Sequence, residues 1–232
     1  MNKAIQLSFL ALALFAVACQ SNSNQSAAEE PTAEATEAQP FAAEPAATKA
    51  AFINPNLATI EELSALEGLG SELAEMIVDQ RPFLTMNDLD AKLTALNETQ
   101  REALYQTFFV PFNLNTTAED DFKLIPGVGD RMAHEFEEYR PYLRIEQFRK
   151  EIGKYVDEAE VARLEQFVFV PVNLNTASES DIMALPGVGS KMAHEFEEYR
   201  PYQNMEQFRR EIGKYVDDKE LARLERFVYL EE

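Results

Sequence analysis

Residues 125–142 read IPGVGDRMAHEFEEYRPY and residues 185–202 read LPGVGSKMAHEFEEYRPY. In each, Pro-Gly-apolar-Gly breaks one helix and opens the next. In the earlier stretch Met132, Phe136 and Tyr139 then recur at helical spacing, and Pro141 ends the run. A glycine turn feeding a helix is also a phosphate-binding device. Glycines let backbone come close, and the first N–H groups of a helix have no intrahelical partner.

Working outward, the two stretches belong to an internal repeat. NLNT begins at Asn113 and again at Asn173, and INPNLAT at 53–59 is a weaker earlier copy with Asn54 under Asn113. The glycine turns follow in register as Gly68-Leu69-Gly70, Gly127-Val128-Gly129 and Gly187-Val188-Gly189. Next come Arg81-Pro82-Phe83, Arg140-Pro141-Tyr142 and Arg200-Pro201-Tyr202. Each copy nears its end with an apolar, strand-like run: TFFVP, QFVFVP and RFVYL. The second and third copies agree at 39 of 59 aligned positions, and the first is far more divergent. The boundaries are 51–111, 112–171 and 172–232.

Each copy reads as four short helices. Thr116 with Glu119, and Thr176 with Glu179, fit a capping box at the first helix. The glycine turn opens the second, 146–150 makes a short third, and Ile152-Gly153 begins another turn. Asp157 with Glu160 caps the last helix, as do Asn97 with Gln100 and Asp217 with Glu220. Its apolar face is Val161, Leu164 and Phe167. Tyr142, Tyr202 and Phe83 are expected as core plugs, Met132 and Met192 as core by spacing, and Arg140 and Arg200 as partners of Glu137 and Glu197. No stretch alternates long enough for a sheet, so the expected fold class is all-α: three tandem compact units behind a disordered tether.

The stretch NLNTASESDIMALPGVGSKMAHEFEEYRPY resembles the paired helix-hairpin-helix domain of ComEA-type competence proteins, which carry an Asn-Leu-Asn-Thr-Ala start and a Leu-Pro-Gly-Ile-Gly hairpin. The resemblance covers 53 to about 230. It implies two hairpins per unit related by pseudo-symmetry, and binding of DNA without sequence preference. Carried onto this chain, the first-hairpin phosphate contacts fall on Gly127, Val128, Gly129 and Arg131, and on Gly187, Val188, Gly189 and Lys191. The chain departs from the pattern in three places. Glu67 precedes the first turn and Glu72 takes the cation position; Asp130 stands at the mouth of the second copy's helix; and the later turns, Glu151-Ile152-Gly153 and Glu211-Ile212-Gly213, keep one glycine.

Charge qualifies the DNA reading. The chain carries 41 acids against 21 bases, a net −20, which argues against polyanion binding through global charge. Residues 51–111 hold 3 bases and 10 acids, whereas 112–171 and 172–232 each hold 8 and 13. The added bases cluster near the later turns as Arg149, Lys150 and Lys154, and as Arg209, Arg210 and Lys214. These are the candidate secondary DNA contacts, a basic hairpin side opposite an acidic helix side.

The first 18 residues read as a targeting segment: Lys3, an apolar run from Ile5 to Val17 too short for an ordinary span, then Ala16-Val17-Ala18 before Cys19. Small residues before a lone cysteine resemble the lipobox of bacterial lipoproteins, which implies lipidation of Cys19 and a membrane anchor. Gln20 after the cysteine points to the outer membrane, facing the periplasm. Cys19 is the only cysteine, so no internal disulfide is available. The rest of the 19–50 stretch is rich in Ala, Glu, Ser, Thr and Pro, cannot bury a core, and reads as a disordered linker spanning roughly 30 Å.

No enzyme is expected. His134 and His194 are the only histidines, each with one carboxylate four residues on, too few ligands for a metal, and the second histidine of H-E-x-x-H is missing. A base-flipping glycosylase needs a pocket that these compact units leave little room for. No cofactor is implied. Two functions remain: an envelope-tethered DNA-backbone binder, or a protein-interaction scaffold with an envelope protein as partner.

Overall fold

The computed structural model describes residues 52–231. The leader at 1–18, Cys19 and the linker to residue 50 lie outside the described residues. The first segment contains α1 (Ile60–Ser64), α2 (Gly70–Asp79), α3 (Met86–Asp90) and α4 (Glu98–Tyr105). The second runs β1 (Phe112–Asn113), a 3-10 helix (Glu119–Leu124), α5 (Asp130–Glu138), α6 (Ile145–Ile152), α7 (Glu158–Leu164) and β2 (Val168–Phe169). The third runs β3 (Val172–Asn173), α8 (Glu179–Met183), α9 (Ser190–Glu198), α10 (Met205–Ile212), α11 (Asp218–Glu225) and β4 (Val228–Tyr229).

Helices dominate, as expected of an all-α fold, and short parallel pairings join them. The tail of each segment lies parallel to its own head: Ile53 bridges Phe108, Phe112 and Asn113 pair with Val168 and Phe169, and Val172 and Asn173 pair with Val228 and Tyr229. Buried backbone must find partners, and each apolar tail finds them in the head it packs against. The strand-like runs are strands, two residues long.

A correction concerns the helix starts. Thr116 and Thr176 are not caps. The 3-10 helix begins after Ala118, which offers no side-chain cap, and α8 is capped by Ser178 in a box with Asp181. The reason is that NLN is already used. Asn113 Oδ1 accepts from Asn115 N at 2.9 Å, forming an Asx turn. Asn115 then grips the backbone of Tyr142 from both sides, accepting from its N–H at 2.7 Å and donating to its carbonyl at 2.8 Å. Asn56 grips Phe83 and Asn175 grips Tyr202 in the same way. The first asparagine makes the turn and the second holds the aromatic plug, so the helix starts only afterwards.

The arginine before that plug does related work. Arg140 donates through Nε to Leu114 O at 2.5 Å and through Nη2 to Thr117 O, and it pairs with Glu137 at 3.2 Å. Arg81 and Arg200 repeat the two backbone bonds. Arg200 also meets Glu197 at 3.1 Å, so the expected ion pairs form. The peptide bond after each of these arginines is cis. The plugs Phe83, Tyr142 and Tyr202 are buried, as are Val161, Leu164, Phe167 and Met192; Met132 is partly buried against the core. The caps from Asn97, Asp157 and Asp217 are present.

The first and second segments share one apolar core, with edge-to-face rings running from Phe52 through Phe167, Phe109, Phe112, Phe122 and Phe136 to Phe148. The third has its own core, yet it touches both neighbours. Arg144 approaches Asp181 at 3.9 Å. From α11, Lys219 donates to Asp79 O at 3.2 Å, and Arg226, just past its end, lies over Phe169 and Phe227 while donating to Pro111 O at 2.9 Å. Burial, then the neighbouring Arg223 charge, pulls the Arg226 guanidinium down to about 10, so it remains charged at neutral pH.

Candidate nucleic-acid interface

The glycine turn is built from its valine outward. Val128 is buried, and its N–H bonds to Ile125 O at 3.0 Å. Gly127 turns the chain at φ +81, a region that costs a side chain about 1–2 kcal/mol. Gly129 is extended and stands as N-cap of α5 with no side-chain cap, leaving the first amides of that helix open. Gly187 (φ +70), Val188 and Gly189 repeat this before α9. In the first segment Leu69 precedes α2, also uncapped, but Glu72 lies in its first turn. By contrast α1, α3, α4, α7, α8, α10 and α11 are all capped by side chains. All three helices that follow Gly-apolar-Gly turns start without a side-chain cap, and α6 after Arg144 is the one other α-helix among the described residues that does so.

Charge at the second turn is better disposed than the sequence suggests. Asp130, at the mouth of α5, is held by Lys123 at 2.5 Å, and Lys123 also meets Asp120 at 2.8 Å. Those two hydrogen bonds hold the lysine ammonium well above its usual range. The exposed Arg131 lays its guanidinium over the Tyr155 ring, 5.9 Å from the centroid. Tyr155 belongs to the later turn of the same segment, so the cation of one turn leans onto the other. The Tyr155 hydroxyl meets that of Tyr139 at 2.7 Å, and Lys154 sits 4.8 Å over the Tyr139 ring. The Glu135 carboxylate and the Tyr139 hydroxyl push the Tyr155 phenol up. Tyr199, Tyr215 and Lys214 repeat the arrangement in the third segment. The two turns of a segment therefore share one face.

This is the geometry of paired helical hairpins, and a sequence comparison agrees. The family model of the helix-hairpin-helix motif matches residues 48–102 and 168–229, together just over half of the chain. The chain belongs to the helix-hairpin-helix family. No curated protein and no solved structure matches it. The second segment lies between the two matched stretches and carries the same turn as the third.

The later hairpins differ from the first ones. Gly153 N, Lys154 N, Tyr155 N and Val156 N all donate within the turn, and Asp157 caps the helix beyond. No amide in that run is left for a ligand. Gly153 is kept for space: a Cβ there would stand 2.8 Å from Arg149 O.

Nor are the secondary cations on a face of their own. Arg149 makes two bonds to Glu165, at 2.6 and 2.7 Å, and meets Glu146 at 3.3 Å. Lys150 lies 3.7 Å from Glu151, which Lys154 also pairs with. Arg209 pairs with Glu225 at 2.7 Å, and Arg210 and Lys214 with Glu211. Bases and acids interleave, whereas charge counting alone suggested separate faces. Exposed pairs of this kind hold weakly, but a phosphate taking one of these cations frees a carboxylate beside itself.

Two cations near the hairpins were not singled out from sequence. One is Lys123. The other is Arg163, bonded twice to Glu160 at 2.7 Å, with Nη2 3.3 Å from where a Cβ on Gly127 would stand. Its counterpart Arg223 covers Gly187. The signal was present: Ala-Arg-Leu recurs at 162–164 and 222–224, while the first segment has Ala103 in that place. The histidines sit exposed, His134 3.3 Å from Glu119 and His194 3.9 Å from Glu198. Among the described residues no group of three or more His, Cys, Asp or Glu side chains is arranged to hold a metal.

Proposed function

We propose that the chain is a non-enzymatic, lipid-anchored protein of the bacterial cell envelope whose three tandem helix-hairpin-helix units grip the DNA backbone without reading sequence. Helix-hairpin-helix motifs commonly bind nucleic acid. The observation that carries the reading here is the open start of α5: an exposed glycine turn, no side-chain cap, Asp130 drawn into a pair with Lys123, and Arg131 beside it. A phosphate at that place would accept from the first amides of α5 and lie beside a guanidinium. Phosphate contacts carry no base information, which suits capture of arbitrary DNA as in ComEA-like uptake. Lipidation at Cys19 and the linker to residue 50 would hold the units off an outer membrane on its periplasmic side. With a net charge of −20, affinity at physiological salt is expected in the micromolar range or weaker, so several tethered copies would act together.

The interleaved carboxylates favour a second reading, a protein-interaction scaffold. A titration of a mixed-sequence duplex with the mature chain at several salt concentrations separates the two. Binding that falls steeply with salt, ignores sequence and is lost in Arg131→Glu supports the DNA reading. No binding at 50 mM salt by a folded helical protein would refute it and leave the scaffold.

A further inference from the structure

Pro-Gly-Val-Gly occurs twice with one sequence but in two surroundings. Gly127 and Gly129 are exposed, whereas Gly187 and Gly189 are half-buried. At Gly187 the added cover comes from the first segment, over that of Arg223. A Cβ built on Gly187 would overlap Leu57 Cδ1, so the leucine tip rests directly against that glycine; at Gly127 the same construction meets only Arg163. Beneath Leu57, Arg223 is 1% exposed and donates to Pro186 O at 2.6 Å and to both oxygens of Glu220. Arg163, its counterpart, keeps a side-chain exposure of 31%.

The covering element is built for the purpose. Leu57 aligns with Thr116 and Thr176, so an apolar residue stands where the other copies carry a polar one. It follows an Asx turn in which Asn54 Oδ1 accepts from Asn56 N at 2.9 Å, and Asn56 is itself locked onto Phe83. Lys219 on Asp79 O and Arg226 on Pro111 O hold the third segment in reach. The first segment has a poor anion turn of its own, with Glu67 and Glu72 around it.

We infer that the two identical turns have different jobs: the second is the open phosphate site, and the third is latched by Leu57 of the first segment, which must lift before a phosphate can enter. The inference rests on the proposed DNA binding for its consequence but not for the latch itself. A chain with one open turn engages about two phosphates, giving a slope of log affinity against log salt near −2; unlatching adds a second turn and moves the slope toward −4.

The test has two arms, both on the mature full-length chain. The first measures amide hydrogen exchange without DNA at 188–191 and at 128–131. The third turn exchanges more slowly in the wild type, the two become alike in Leu57→Ala, and the volume-conserving Leu57→Met stays like the wild type. Equal exchange in the wild type, or no change in a folded Leu57→Ala, overturns the latch. The second arm titrates a mixed-sequence duplex. Leu57→Ala binds at least fivefold tighter at 50 mM salt with the steeper slope, and adding Lys191→Glu cancels that gain. Faster exchange with unchanged affinity and slope overturns the regulatory role. If no variant binds DNA, the proposed function fails, and the exchange arm alone decides whether the latch exists.

Discussion

Gly187→Ala, compared with Gly127→Ala, reads the different surroundings of the two turns as a stability difference. Both glycines lie at positive φ, +70 and +81, so each alanine carries a backbone cost of about 1–2 kcal/mol. At Gly127 the new methyl group meets only the Arg163 guanidinium at 3.3 Å, the far end of a flexible side chain. At Gly187 it overlaps Leu57 and also meets the buried Arg223 at 3.3 and 3.4 Å. Overpacking of that kind costs about 1–3 kcal/mol. Gly187→Ala should therefore lose about 2–5 kcal/mol and Gly127→Ala about 1–2. Trimming Leu57 removes the overlap, so Leu57→Ala with Gly187→Ala should recover part of the loss, with a coupling of about 1–3 kcal/mol. Leu57→Ala should show little coupling to Gly127→Ala. Urea melts followed by circular dichroism measure all five proteins against wild type. Equal losses at the two glycines, or no coupling between Leu57 and Gly187, would show that the leucine does not bear on the turn.

Asn115→Ala leaves the buried N–H and carbonyl of Tyr142 without partners, and about 2–6 kcal/mol should be lost in denaturant melts, the sum of two unsatisfied groups; a loss under 0.5 kcal/mol contradicts the clamp. The hydrogen bond and charge of Glu119, with smaller help from Glu138 and Glu135, raise the His134 imidazole above its ordinary value. Its folded value is raised, so its stabilising contribution is full below the ordinary imidazole range of about 6.5 and is lost as pH rises through the raised value. An NMR titration should place His134 above 6.5, and Glu119→Gln should lower it; no change in the variant rejects the pair. Cys19→Ser should abolish acylation and membrane fractionation, and a wild-type protein without an acyl chain by mass spectrometry rules out the anchor.

Much of the fold was legible because its signals are local. A proline and two glycines end one helix and start the next wherever they occur, and Asp157, Asn97 and Asp217 cap because their amides lie three residues on. The first helices of the second and third segments start later than Thr116 and Thr176 because a local signal met a distant demand. Thr116 with Glu119 looks like a helix start until Tyr142, 27 residues after Asn115, takes both ends of the Asn115 amide. The parallel ladders were missed for the same reason. Two residues carry no alternation, and their partners lie at the far end of the segment.

The candidate site divides along the same line. Sequence alone determined that the glycine turns exist, that they open helices, and that Arg131 and Lys191 stand in the first turn after them. Only the tertiary structure decided that Asp130 pairs with Lys123, that the later cations are paired with Glu146, Glu151, Glu165, Glu211 and Glu225, and that Leu57 rests on Gly187 and not on Gly127. A turn's conformation depends on a handful of neighbouring torsions, which the residues themselves dictate. Its accessibility depends on what the remainder of the chain packs against it, and identical residues at 126–129 and 186–189 hold no record of that.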